Sequence, residues 1–268
     1  MATIGLRNLV YAKFTKDEVG NMEYGEIKPI IGVRQANIET EIEESIIVGD
    51  DRIMDSSSNV KSQSVTLETV DLPLDLRADI LGLQFENGVL TDDNNFNPPS
   101  IAIGFMAQKR NREGFRLAWL LNGKVQPISE EFQTEGESIE VKYRTMNVKF
   151  IPRADGKLKH TADSDILNSP TEEQFFTKEM LEQGKYKALV PVADPVAGNI
   201  AENGTVTLTT ETDGATIYYT VDGSEPTTES TEYTAPITID VTKTVKAIAV
   251  KDGLLDSDVV EFAYTVVV

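Results

Sequence analysis

Three glutamates, Glu39, Glu41 and Glu43, recur at every second position. On an extended strand such neighbours share one face and stand roughly 6.8 Å apart. That overlaps the roughly 6.5–9.5 Å between the two carboxylates of an inverting glycosidase. A chain with 44 acids produces such spacings by chance, however, and no aromatic platform or apolar pocket for a raised-pKa acid accompanies them. The other reactive types are scarce. Cysteine is absent, which removes disulfides, thiolate metal sites and thiol nucleophiles. One histidine, His160, falls in the polar run Lys157–Asp163, so sites built on several imidazoles are excluded and a surface role is expected. Asp92-Asp93-Asn94-Asn95 lacks the spacing and the twelfth-position Glu of an EF-hand and reads as a turn. No glycine-rich phosphate loop is present. The expectation is a protein without catalytic residues, cofactor or metal.

Charge narrows the partners. The net charge is −19. Residues 1–190 carry 31 acids and 22 bases, and residues 191–268 carry 13 acids and three bases. Neither part has the basic excess that gripping nucleic-acid phosphates requires. The only basic cluster is Lys109-Arg110-Asn111-Arg112. In an acidic chain it suits an acidic neighbouring subunit better than DNA. No apolar run approaches the roughly 18 residues of a membrane span, and the start reads as lacking a signal peptide.

These residues must be positioned by strands. Ala36, Ile38, Ile42, Ile46 and Val48 alternate with Asn37, Glu39, Glu41, Glu43 and Ser45, a period of two with one apolar and one acidic face. A second strand over Lys61–Val70 places Glu68 with Ser62, Ser64 and Thr66, opposite Val65 and Leu67. Between the two, Asp50–Asn59 reads as a long polar loop containing Asp50, Asp51, Arg52, Ser56, Ser57 and Ser58. Pro73 and the spacing of Leu76, Ile80 and Leu83 predict a helix over 75–83. Strands are expected over 101–108, 115–121 and 138–152, with Asn122-Gly123 as a hairpin turn. Ser169-Pro170-Thr171-Glu172 has capping-box spacing, predicting a helix to about Gln183 that ends at Gly184. Residues 185–195 read as a linker or shared strand. Beyond it, Asn203-Gly204, Asp213-Gly214, Asp222-Gly223 and Asp252-Gly253 punctuate short Thr-rich strands, the pattern of a β-sandwich. The predicted domains are therefore 1–190 and 191–268.

Two segments resemble known families. Gly214-Ala215-Thr216-Ile217-Tyr218-Tyr219-Thr220-Val221-Asp222-Gly223-Ser224-Glu225-Pro226-Thr227, with Tyr233–Ile237, Val245–Ala249 and Tyr264, resembles the Ig-like domain at the C-terminus of chitobiase and β-hexosaminidase. That implies an appended sandwich; the hydrolase site of those enzymes lies elsewhere, and the first 190 residues lack the length and alternation of a TIM barrel. The opening Gly5–Ala12, the acidic strand, Asp71–Leu83, and Ser100–Phe105 leading into Gly114-Phe115-Arg116 are similar to major tail proteins of siphophages infecting Gram-positive bacteria. This resemblance implies a mainly β chain: a tail-tube-type β-sandwich or half-barrel with one or two flanking helices, followed by the Ig-like sandwich. It further implies stacked hexameric rings forming a virion tail tube, assembled in the host cytoplasm. The implied partners are the subunit itself, a tape measure protein and a tail terminator, with double-stranded DNA passing through without specific binding. Glu39, Glu41, Glu43 and Glu68 would then line the lumen. The Asp50–Asn59 and Lys109–Gly114 loops would join subunits, and the Ig-like domain would touch cell-wall carbohydrate weakly. The alternatives are a cell-surface or carbohydrate-binding protein, and the tube of a contractile tail or bacteriocin-like particle.

Overall fold

A computed structural model describes residues 3–49, 52–70, 72–92, 94, 96–109, 113–128 and 143–267. The chain divides into two compact units, Met1–Gly184 and Lys185–Val268. It is mainly β, with few helices.

The first unit runs β1 (Thr3–Glu18), β2 (Asn21–Tyr24), β3 (Lys28–Pro29), β4 (Val33–Gly49), β5 (Arg52–Thr69), α1 (Leu74–Leu81), β6 (Gln84–Glu86) and β7 (Val89–Thr91). It continues through β8 (Ser100–Lys109), β9 (Phe115–Val125), β10 (Arg144–Phe150), β11 (Lys159–Asp163), α2 (Glu172–Phe175) and α3 (Lys178–Gln183). Its main sheet has the order β2-β1-β8-β9-β10-β5-β4, with β11 also pairing β9 and β3 pairing β1. One face holds the core: Val65, Leu67, Ile80, Ile101, Ile103, Leu120, Met146, Val148 and Phe150 are all within 1% of complete burial. On the other face of β9, Trp119 is fully buried, donates from Nε1 to the Phe175 carbonyl at 2.9 Å, and meets the edge of Phe176. Covered on both faces, β8 and β9 read as near-continuous apolar runs instead of alternating ones.

Several local signals act as expected and others do not. Pro73 opens α1, and Gly82 closes it at φ 71°, a left-handed position natural to glycine. The capping box forms two residues later than its Ser169 start. Thr171 accepts from the Gln174 N–H while the Gln174 side chain accepts from the Thr171 N–H. The expected single helix is split at Phe176, and Thr177 caps the second piece. Asn122-Gly123 is not a turn but lies inside β9. There β8 and β9 slip register, and Gly123 sits under Phe150, where a Cβ would lie 2.5 Å from the ring. The working Asn-Gly hairpin is Asn87-Gly88, joining β6 to β7 with φ of 52° and 82°.

The second unit contains β12 (Val192–Asp194), β13 (Gly198–Ala201), β14 (Gly204–Thr209), β15 (Thr216–Thr220), β16 (Thr231–Glu232), β17 (Ile237–Ile239), β18 (Lys243–Val250) and β19 (Val260–Val267). Two sheets, β12-β14-β17 and β13-β19-β18-β15-β16, enclose a core of Ile200, Val206, Leu208, Ile217, Ile239, Val245, Ala247, Phe262 and Tyr264. The Asn-Gly and Asp-Gly pairs fall at or between strand ends, as their chemistry predicts. The Tyr264 hydroxyl, otherwise buried, donates to the Pro195 carbonyl at 2.7 Å. Residues 185–190 are not a linker. Leu255 N–H donates to Tyr186 O, Ala188 N–H donates to Leu255 O, and Leu189 N–H donates to Thr212 Oγ1.

Candidate assembly surface

The polar segment read as a loop is a strand. β4 and β5 pair antiparallel from Val33↔Thr69 to Gly49↔Arg52, so Arg52–Asn59 runs back along β4. Serines are tolerated in a strand when a partner supplies the ladder, and Glu43–Ile46 supply it to Ser56–Asn59. Asp50 and Asp51 lie outside the described residues. The pairing of β10 with β5 ends at Gln63, so from about there outward the hairpin is a two-stranded arm. On it and at its root, residues 37–44 and 56–61 are exposed, including Ser56, Ser57 and Ser58. A two-stranded ribbon has no second layer to cover its faces.

Those faces differ. Glu39 pairs with Ser64, Glu41 with Ser62 and Glu43 with Asn59, while Glu68 pairs with Gln35, so all four glutamates share the face turned away from the core. They do not form a bare carboxylate coat. Lys149 of β10 reaches Glu41 at 3.5 Å, Lys61 reaches it at 3.4 Å, and Ser62 Oγ donates to it at 2.7 Å. The Ser62 bond, then Lys61 and Lys149, hold the Glu41 carboxyl below the usual carboxylate range. On the opposite face, Val65 and Leu67 enter the core at the arm's root. Opposite Val65, Ile38 is 39% exposed, and further out Ile42 and Val60 are 56% and 45% exposed. A register shift after Glu41, with Lys61 as the extra residue, keeps Ile42 opposite Val60. Fully covering a side chain of this size is worth about 1.5–3 kcal/mol, and the arm leaves a share of that unrealised at each position.

The basic loop does something other than expected. Lys109 is buried and ion-pairs with Asp163 at 2.9 Å and with Asp165. Arg116 grips Asp163 through two bonds of 2.8 and 2.9 Å. The Arg116 bond, opposed by burial and helped by Lys109, drives the Asp163 carboxyl far below its ordinary range. Lys109 therefore fastens β8 to the end of β11 and does not present itself to a neighbour. Arg110 and Arg112 lie outside the described residues.

His160 is not on a surface loop. It sits in β11 opposite Trp119, its ring close enough to Gly184 that a Cβ there would lie 2.7 Å away. Burial first, then Arg153 and Lys157, push its pKa down to about 4. The described residues contain no cluster of metal-ligating side chains. Sequence reasoning also missed Arg153. Completely buried, it bonds Leu181 O at 2.6 Å, the Tyr24 hydroxyl at 3.3 Å, and both oxygens of Asp155. Asp155 two positions on was the available signal, since a buried guanidinium needs a carboxylate.

Residues 195–261 match the family model described as the chitobiase/beta-hexosaminidase C-terminal domain. The C-terminal unit contains an Ig-like domain. The family match and the two enclosing sheets agree on this. The matched module is the non-catalytic part of those hydrolases, and the Ig-like domain carries no assigned chemistry with it. No curated protein matches the chain.

Proposed function

We propose that this chain is a non-enzymatic, self-assembling subunit: the major tail protein whose stacked rings form the tail tube of a long-tailed phage, with the Ig-like domain as an appended module. The observation that carries this reading is the β4–β5 arm. It is a long ribbon that exposes Ile38, Ile42 and Val60 on one face, uncovered in the single subunit, and carries the glutamates Glu39, Glu41 and Glu43 on the other. An exposed apolar ribbon is an aggregation hazard unless another chain covers it. In a ring, arms from successive subunits join into an inner barrel that removes the open edges. The face bearing Glu39, Glu41, Glu43 and Glu68 then borders the lumen. The interleaved lysines make that lining mixed in charge with an acidic excess, which discourages DNA from adhering without a uniform repulsive field. In this reading the Ser56–Ser58 stretch acts as part of the arm, and Lys109 is a structural residue.

The match of the Ig-like domain favours a second reading, a carbohydrate-binding surface protein. Negative-stain microscopy and sedimentation of the purified chain separate the two. Rings or tubes of uniform width support the tube. Monomers at all concentrations, with retention on a cell-wall glycan column, overturn it.

A further inference from the structure

Beside the root of the arm lies a groove of about 350 Å³, lined by Leu6 of β1, Ala36 and Ile38 of β4, and Phe105 and Ala107 of β8, with Arg34 and Gln35 at its rim. Its floor is the core itself: Phe105 and Ala107 are each 8% exposed. Arg34 stacks on the Tyr143 ring at 4.5 Å and has no carboxylate partner among the described residues. The outer arm offers the complement. Ile42 and Val60 are exposed on the same face, and alternation places Glu44, also exposed, beside Ile42 on that face. The arm cannot fill its own groove, because Ile38 belongs to both and the paired ribbon leads away from it.

Resting on the self-assembly reading above, we propose that the apolar face of one subunit's arm, at Ile42 and Val60, seats in the Leu6–Ile38–Phe105 groove of a second copy, with Glu44 meeting that copy's Arg34. The two surfaces differ and each copy carries both, so a copy engaged through its arm still offers its groove to a further copy, and the contact can repeat around a ring. The apolar pair supplies burial, and the single charge pair fixes which end of the groove the arm enters.

A charge swap tests this. Glu44→Arg and Arg34→Glu, each alone, should raise the concentration needed for assembly by about tenfold or more. The double variant should restore it to within about threefold of the parent. Both residues are exposed and Arg34 gives up only its stack on Tyr143, so circular dichroism should be unchanged and melting should fall by no more than a few degrees. Because the chain has no cysteine, a second readout is available. Leu6→Cys protein mixed with Ile42→Cys protein should form a disulfide-linked pair on oxidation, and far less should form between copies of either variant alone. Parent tubes with no rescue by the double variant and no mixed crosslink would overturn this pairing and leave the tube reading intact. A parent chain that never assembles would overturn both.

Discussion

His160 offers a clean titration because the chain has no second imidazole. Its folded pKa of about 4 lies below the roughly 6.5 of a free imidazole. As pH falls, the unfolded chain takes up the proton first. Stability of the N-terminal unit is therefore full above about 6.5 and declines toward 4, by on the order of 1–2 kcal/mol between pH 7 and 5. Urea denaturation at those two pH values should show that loss in the parent and lose most of it in His160→Gln. An unchanged slope in the variant would mean that other groups cause it. Arg153 is argued from geometry. Removing the guanidinium leaves the Leu181 carbonyl, the Tyr24 hydroxyl and Asp155 short of a partner inside the fold. Arg153→Met should cost about 3 kcal/mol, read as a fall of roughly 6–12 °C in the melting temperature of this unit.

At the scale of elements, Gly123 decides how β9 runs. A methyl there meets the Phe150 ring, so Gly123→Ala should destabilise by about 1–3 kcal/mol through overpacking. A melt within 1 °C of the parent would count against this contact with the Phe150 ring. This position also marks the limit of reading from sequence. Asn-Gly reports a local preference, and at 122–123 the buried pairing with Ile101 and Phe150 overrides it, whereas at 87–88 nothing competes. The acidic alternation of β4 was legible because period two survives in any half-buried strand. The return strand was not, because Ser56–Ser58 carries no apolar signal and acquires its structure from β4 alone. Lys109 and His160 were misplaced for a related reason. Their polarity argued for solvent, and only the fold brings Asp163, Asp165 and Gly184 to meet them.

At the scale of the whole chain, the division at Gly184 has a direct test. Residues 185–190 supply main-chain bonds to Leu255 and Thr212, so a fragment of 185–268 should unfold cooperatively, while one of 191–268 should melt several degrees lower. Equal melting of the two fragments would return those residues to the role of a linker. Within this unit, β13 and β19 pair in parallel over Gly198↔Tyr264 to Ala201↔Val267. A pull applied between Gly198 and Val267 draws these two strands along their length in opposite directions. The ladder is then loaded in shear and its bonds share the force, instead of being opened one at a time as in a hairpin pulled from its open end. By this geometry, the two strands resist a pull along their length better than a hairpin resists being peeled open.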